Sequence, residues 1–334
     1  MRAIALISGG LDSILAAKLV QSLGVEIIPV HFKIPFLHRG KNRYSPSIGK
    51  ISNLHEILGR KIEVVDIGED FLVMLVNPHY GFGSNMNPCI DCKIVMFKKV
   101  KELMKDLGVS FVVTGEVLGQ RPMSQHKQAL GIVARRSGLD GLILRPLSAR
   151  LLPETIPEKE SWVSRSKLLG FNGRGRRPQI DLAKSLGIDN FSQPAGGCLL
   201  TEKEFSRKLE DLIRSGQMDL DNVELLKIGR HFRITTGSKL IVGRDERENQ
   251  QLVRLARPGD YLFYPDENMA GPTALGRGEF NLDLIKLSSS IVCRYCDIAG
   301  ATEAKILYNR ATDDRKESII AAPEQESTLN QIRL

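Results

Sequence analysis

The residues best equipped for chemistry come early in the chain, as Ser8-Gly9-Gly10-Leu11-Asp12-Ser13, between an apolar run from Ala3 to Ile7 and a helical pattern from Ile14 to Leu23. A buried strand feeding a glycine turn that opens a helix leaves the first backbone N–H groups of that helix without partners, and such a helix start binds anions. Gly9 and Gly10 let the main chain approach phosphate oxygens, while Ser8 and Ser13 add hydroxyl donors. Asp12 is the odd member. A carboxylate beside a phosphate repels it unless a metal ion bridges the two, so Asp12 is expected as a Mg2+ ligand or a helix cap. A second chemistry sits at Cys89-Ile90-Asp91-Cys92, where Pro88 stiffens a glycine- and asparagine-rich loop and Cys89 opens a helix running through Ile94, Phe97 and Val100. Two thiols at a helix start face one point, and the positive end of the helix dipole is expected to lower their pKa. That suits a soft metal or redox chemistry, but two thiolates complete neither a tetrahedral zinc site nor a cluster. Cys198, on a Gly196-Gly197 loop, supplies a third thiol.

These groups need a scaffold. Strand, helix and a second strand over Glu26 to Phe32 make a β-α-β unit of a parallel sheet, whose strand-end loops should form the site. Lys61 to Asp66 and Phe111 to Thr114 read as further strands, the latter running into the polar loop from Gly115 to Gln125. The basic stretch from Lys33 to Lys50 reads as a lid, an RNA-contacting loop or a solvated surface loop. The run Gly173-Arg174-Gly175-Arg176-Arg177 has no interleaved acid and could meet a phosphate backbone. Arg121 and Arg145 are further candidates for phosphate or nucleic-acid contacts, because guanidinium binds phosphate in bidentate fashion. With 334 residues the chain is long enough for two domains. Its 47 basic against 39 acidic residues, a net charge of +8, suit a polyanionic partner. No apolar run approaches the length of a membrane span, and a cytoplasmic location is expected. Five cysteines argue against a secreted disulfide framework.

The Ser8 to Ser13 loop resembles the S-G-G-x-D-S pyrophosphatase loop of the N-type ATP pyrophosphatase (PP-loop) superfamily, and no G-x-x-x-x-G-K-[ST] occurs anywhere. The resemblance implies a Rossmann-like α/β domain of the adenine nucleotide alpha hydrolase type, which splits ATP between the α and β phosphates and transfers AMP to an oxygen. Thr114-Gly115-Glu116-Val117-Leu118-Gly119-Gln120 with Ser124-Gln125, and then Leu144-Arg145-Pro146-Leu147, are similar to stretches of the tRNA 4-thiouridine synthetases. ATP is therefore expected on Ser8, Gly9, Gly10, Asp12, Ser13, Gly115 and Gln120. Some PP-loop tRNA thiolases carry a C-x-x-C in mid-domain and a lone cysteine near its end, which together hold a [4Fe-4S] cluster. Cys89, Cys92 and Cys198 match that arrangement one for one. In cluster-free relatives one cysteine carries persulfide sulfur and another resolves it; a zinc site is the third option. Cys89, Cys198 and Asp12 are the expected catalytic residues, with sulfide or a cysteine desulfurase persulfide as sulfur donor.

Val242-Gly243-Arg244 with Asn249, followed by the turn Arg257-Pro258-Gly259-Asp260, resembles the RNA-binding module of the NFACT family. The expected organisation is a PP-loop domain over 1–200, a helical connector over 201–229, a smaller α+β RNA-binding domain over 230–312 and a frayed tail over 313–334. Cys293 and Cys296 lie in a stretch that alternates like a strand and read as small buried residues. The function expected is ATP-dependent thiolation of a tRNA uridine, with no membrane partner and homodimerisation left open. The rivals are a PP-loop ligase that adenylates a small carboxylate and a non-catalytic RNA-binding metalloprotein.

Overall fold

The computed structural model describes residues 1–36, 54–188 and 198–334. The chain divides into two compact units, Met1–Thr201 and Glu202–Leu334.

The first unit is built on β1 (Arg2–Leu6), α1 (Leu11–Gln21), β2 (Glu26–Lys33), α2 (Leu54–Leu58), β3 (Glu63–Asp66), α3 (Gly68–Val76), α4 (Cys89–Leu107), β4 (Phe111–Thr114), α5 (Lys127–Ser137) and β5 (Ile143–Leu144). The short α6 (Ile156–Lys159) and α7 (Arg177–Ser185) follow. The five strands are parallel in the order β3-β2-β1-β4-β5. Successive side chains of the central strand serve opposite layers, as the period-2 pleat requires. Ala3 and Ala5 pack with Leu11, Ile14 and Leu15 of α1, whereas Ile4 packs with Phe97 and Val100 of α4 and Val133 of α5. Both faces being covered, the inner strands β1 and β4 are nearly continuous hydrophobic runs, whereas the edge strand β3, Glu63–Asp66, is largely exposed. α4 is a long amphipathic helix closed by Gly108 in the left-handed conformation, φ 60°.

The site follows from the register. Leu6 pairs with Thr114, so the loops that leave β1 and β4 emerge side by side at the carboxyl edge. β1 connects onward to β2 on one side while β4 lies on the other, which makes the gap between them the topological switch point where open α/β sheets bind ligands.

The second unit contains α8 (Lys203–Arg214), α9 (Leu220–Leu226), β6 (Arg230–Arg233), β7 (Lys239–Val242), α10 (Glu246–Leu255), β8 (Tyr261–Pro265), β9 (Ala274–Arg277), α11 (Leu282–Arg294), β10 (Ala304–Arg310), β11 (Glu317–Ala321) and α12 (Glu326–Ile332). Its six-stranded sheet, in the order β11-β10-β8-β9-β7-β6, is antiparallel throughout. Ile291 and Val292 of α11 and Leu329 of α12 pack on one face with Phe232, Phe263 and Ile306. Leu252 of α10 packs on the other with Ile241, Leu262 and Leu275.

Three expectations are corrected here. Residues 313–334 are not a frayed tail, because β11 pairs with β10 from Glu317–Tyr308 to Ala321–Ala304 and α12 buries Leu329 against the sheet. Residues 201–229 are not a free connector either. Asp211 of α8 accepts from Arg233 of β6 at 2.6 Å and from Lys239 of β7 at 3.3 Å, which ties the helix to the second sheet. Cys293 closes the helix α11 rather than a strand; the Asn281 side chain caps that helix at Leu284 N. Cys293 is nevertheless buried, as expected.

Candidate functional site

The nucleotide loop is shaped by its own hydroxyls. Ser13 Oγ donates to the Gly10 carbonyl at 2.7 Å and accepts from Ser8 N at 3.2 Å, while Gly10 N donates to Ser8 Oγ at 3.3 Å. Gly9 adopts φ 79°, a conformation that favours glycine. The N-cap of α1 is Gly10, so Asp12 is not the cap. One carboxylate oxygen of Asp12 accepts from Gln120 Nε2 at 3.0 Å, and the other, Oδ1, is buried without a hydrogen-bond partner. An orphaned buried acceptor beside an anion-binding helix start is what a bridging Mg2+ would satisfy. Upstream of the loop, buried His31 of β2 donates through Nδ1 to the Ile7 carbonyl at 2.7 Å. Burial lowers its pKa, so the ring is neutral and holds the strand end in place.

Gly115 is sterically required. A Cβ there would lie 2.4 Å from Ser13 N and 2.6 Å from the Asp12 carbonyl oxygen, so only glycine lets the β4 loop lie flat on the nucleotide loop. The next residue, Glu116, is 3% exposed and receives Lys93 Nζ on one oxygen at 2.5 Å and Arg145 Nε on the other at 2.9 Å. Burial acts to raise its pKa, but the two cations prevail and hold it down at about 2. Removing one member of such a cluster would leave an uncompensated buried charge, at a cost of about 3–5 kcal/mol. Glu116 therefore fixes Lys93, on α4, and Arg145, after β5, relative to the nucleotide loop. Lys93 is a site residue that the reading of motifs missed; its position directly after the C-x-x-C was the available signal.

The thiols gather at the start of α4. Cys89 Sγ donates to Asn87 Oδ1 at 3.1 Å. Cys198 is brought to the same place by the segment that follows it, since Met86 N donates to the Leu200 carbonyl at 3.1 Å and Asn85 Nδ2 to the Thr201 carbonyl at 2.8 Å. The glycine loop expected ahead of Cys198, like most of the basic stretch after Lys33, lies outside the described residues. The expectation of lowered thiol pKa values fails at Cys92. Burial pushes its thiol up to about 12, with Cys198 and Cys89 adding to the rise and Lys93 and Arg121 opposing it. Desolvation outweighs the helix dipole. Asp91 does not compete for a metal, because its carboxylate accepts from His79 N at 3.1 Å and Tyr80 N at 2.9 Å. The donor set is thus right in kind for a thiolate-bound group. Even so, among the described residues no three His, Cys, Asp or Glu side chains converge closely enough to hold a metal ion.

The arginines separate into two kinds. Arg121 is exposed and close enough to influence Cys92. Arg174 and Arg177 are exposed and Arg176 half-buried. Their run is anchored to the β4 loop, since Gly173 N donates to the Leu118 carbonyl at 2.8 Å and a Cβ on Gly119 would lie 3.3 Å from Gly173 N. Arg145, expected at a surface phosphate, is instead 8% exposed in the Glu116 pair, where it cannot meet an RNA backbone. Its Nη2 is buried without a partner. Gln125 Oε1 on the β4 loop is a third such orphan, after Asp12 Oδ1.

In the second unit the motif residues hold the fold together. Glu248 accepts from Gly229 N at 3.1 Å and Arg244 N at 2.9 Å. Asn249 Oδ1 accepts from Thr273 N at 3.0 Å, and Arg244 Nη2 donates to the Gly229 carbonyl at 2.9 Å. Asp260 caps its own turn at Arg257 N, 2.9 Å, and is paired with buried Arg277 at 2.6 Å.

Residues 1–151 match the thiamine biosynthesis protein (ThiI) family, and residues 229–333 match the NFACT protein RNA binding domain. Over 148 residues the chain is 32% identical to a probable tRNA sulfurtransferase of Thermococcus kodakarensis, covering 44% of this chain and 36% of that protein. Over 119 residues it is 32% identical to the tRNA-specific 2-thiouridylase MnmA of Campylobacter lari, covering 34% of each. A crystal structure of a 4-thiouridine synthetase–RNA complex with bound ATP aligns with a TM-score of 0.37 and 20% identity, over 68% of this chain and 52% of that one. The chain spans about a third of the length of the curated relatives it matches. No helix among the described residues is long and apolar enough to cross a membrane.

Proposed function

Because its first unit carries a ThiI-type PP-loop domain and its second an NFACT-type RNA-binding domain, we propose that this protein is an ATP-dependent tRNA uridine thiolase. The observation that carries the proposal is the loop after β4: Gln120 Nε2 donates to Asp12 of the nucleotide loop at 3.0 Å, and Glu116 takes Lys93 Nζ, the residue directly after Cys92, at 2.5 Å. One loop thus spans from where a phosphate would be activated to where sulfur would be carried. A nitrogen-transferring ligase has no use for thiols beside its nucleotide loop.

In this function the Ser8 to Ser13 loop and the first turn of α1 bind the ATP phosphates, and Asp12 would hold a Mg2+ that offsets their charge. The uracil carbonyl oxygen attacks the α-phosphate, pyrophosphate leaves, and AMP is attached to the base. A carbonyl oxygen is a poor leaving group, and adenylation makes it a good one. Glu116 fixes the Arg145 guanidinium plane, and in this reading Arg145 orders the loop after β4 and does not touch the tRNA. Sulfur held at the Cys89, Cys92 and Cys198 group then displaces AMP. Cys89 and Cys198 are the catalytic cysteines of this proposal, working either as a persulfide and resolving pair or, with Cys92, as ligands of a [4Fe-4S] cluster that would supply an iron for sulfide. Arg121, Arg174, Arg176 and Arg177 are the proposed tRNA-backbone contacts, and the location is cytoplasmic. The test is release of pyrophosphate and AMP from ATP by the purified protein. Release that depends on added tRNA is expected; release stimulated by a small carboxylate and not by tRNA would overturn the proposal.

A further inference from the structure

Beside the thiols lies a group of exposed apolar side chains that the reaction as described does not use. Tyr80 is 36% exposed, Phe82 42% and Met123 43%. Single exposed apolar residues need no explanation, but the segment bearing Tyr80 and Phe82 is tied by hydrogen bonds to the start of α4 and meets Met123 through Gly83. The Asp91 carboxylate, in the turn that carries Cys89 and Cys92, takes the backbone N–H of Tyr80, and the His79 ring meets the Tyr80 ring edge-on at 4.8 Å. Gly83, next to Phe82, donates to the Asn87 carbonyl at 2.9 Å, and the Asn87 side chain holds Cys89 Sγ. A Cβ on Gly83 would lie 2.8 Å from Met123 Cε, so this loop touches the β4 loop two residues beyond Arg121. The rim is therefore tied to the first turn of α4, where the thiols are.

Resting on the thiolation proposal, we infer that Tyr80 and Phe82 form a stacking subsite for the uracil base that is turned out of the RNA toward the thiols. A base whose carbonyl is to be adenylated and replaced must leave its stack, and the lost stacking is recovered only if the protein offers another flat apolar surface. The loops bearing the nucleotide and thiol groups offer no other exposed Phe, Tyr or Trp among the described residues, since Phe32 and Phe36 are buried. Charge complementarity selects a nucleic acid rather than an apolar partner. Arg121 borders the rim through Met123, and the arginine run at 174–177 adjoins the same loop through Gly119 and Gly173. Phosphates on the arginines and a base on Phe82 and Tyr80 are opposite sides of one extruded nucleotide.

The test uses the full chain and a tRNA transcript carrying 5-iodouridine, cross-linked by ultraviolet light and mapped by mass spectrometry, together with KM for unmodified tRNA. Cross-links at Tyr80 or Phe82 are expected. Phe82→Ala should raise KM for tRNA about 5- to 150-fold, the range of one base–aromatic stack, and Phe82→Trp should restore it. Thiolation by the wild type with an unchanged KM in Phe82→Ala and Tyr80→Ala, and cross-links elsewhere in the first unit, would overturn the subsite alone. A wild type that forms no thiouridine and cross-links only through the second unit would overturn the thiolation proposal with it.

Discussion

Both units carry recognisable motifs, but the motif side chains are spent differently. In the first unit, buried polar atoms on the strand-end loops have no partner within the protein: Asp12 Oδ1, Gln125 Oε1 and Arg145 Nη2. In the second, Asn249 and Asp260 turn inward to bond Thr273 N, Arg257 N and Arg277, although Arg257 Nε of the same turn is buried without a partner. Burying a polar atom unpaired costs free energy, and Asp12, Gln125 and Arg145 lie together on the loops around the nucleotide motif, where a ligand would complete them. The contrast favours reading the nucleotide motif as a site and the V-G-R and P-G-D motifs as signatures of a fold. RNA contacts of the second unit should then be sought on its surface and not at the motif residues.

The comparison can be broken in order of expected effect. Asp260→Ala removes the partner of buried Arg277 and should destabilise the second unit by about 3–5 kcal/mol, read from urea unfolding. RNA affinity of the fraction still folded should be unchanged; a stable variant with lost affinity would make Asp260 a contact after all. Asp12→Asn should do the opposite. Unfolding should move by less than about 1 kcal/mol, while tRNA-dependent pyrophosphate release falls at least about 100-fold, because the carboxylate that would hold the charge-offsetting Mg2+ is gone. Equal losses of stability and activity would put Asp12 among the structural residues.

A smaller effect sharpens the picture through pH. The folded pKa of Glu116 is depressed to about 2 from an ordinary value of 4.5. A depressed carboxylate stabilises fully above its unfolded value and loses that contribution as pH falls through the folded one. The difference in melting temperature between wild type and Glu116→Gln should therefore be constant above about pH 4.5 and vanish as pH falls toward about 2. A difference that disappears near neutrality would mean that Lys93 and Arg145 do not hold Glu116.

How much was legible in the sequence follows the range of the interactions. The strand, Gly-Gly turn and helix around Ser8 to Ser13 are local and were readable, as was the helix opened by Cys89. The Lys93–Glu116–Arg145 cluster was not, because its members lie 23 and 29 residues apart in the chain and meet only through the parallel sheet. The thiol pKa misled for a related reason: a helix start is visible in sequence, the burial of Cys92 is not. At the chain's end, Ser288 to Cys296 alternates like a strand, yet Ser288 and Ser289 are buried in a helix whose cap, Asn281, lies well upstream. The sparse apolar content after Thr312 concealed a strand that needs only Ile319 and Ala321 on the inner face because β10 supplies its hydrogen bonds.

The central claim is that one loop joins nucleotide activation to sulfur transfer. Its most direct test is to incubate unmodified tRNA anaerobically with ATP, Mg2+ and, in parallel, either sulfide or a cysteine desulfurase with cysteine as sulfur donor, and to measure pyrophosphate and thiolated nucleosides together in wild type and Cys198→Ser. The prediction is thiouridine from the wild type, and from Cys198→Ser tRNA-dependent pyrophosphate release without thiouridine. Thiouridine formed equally well without Cys198, or a wild type that thiolates no nucleoside, would contradict it.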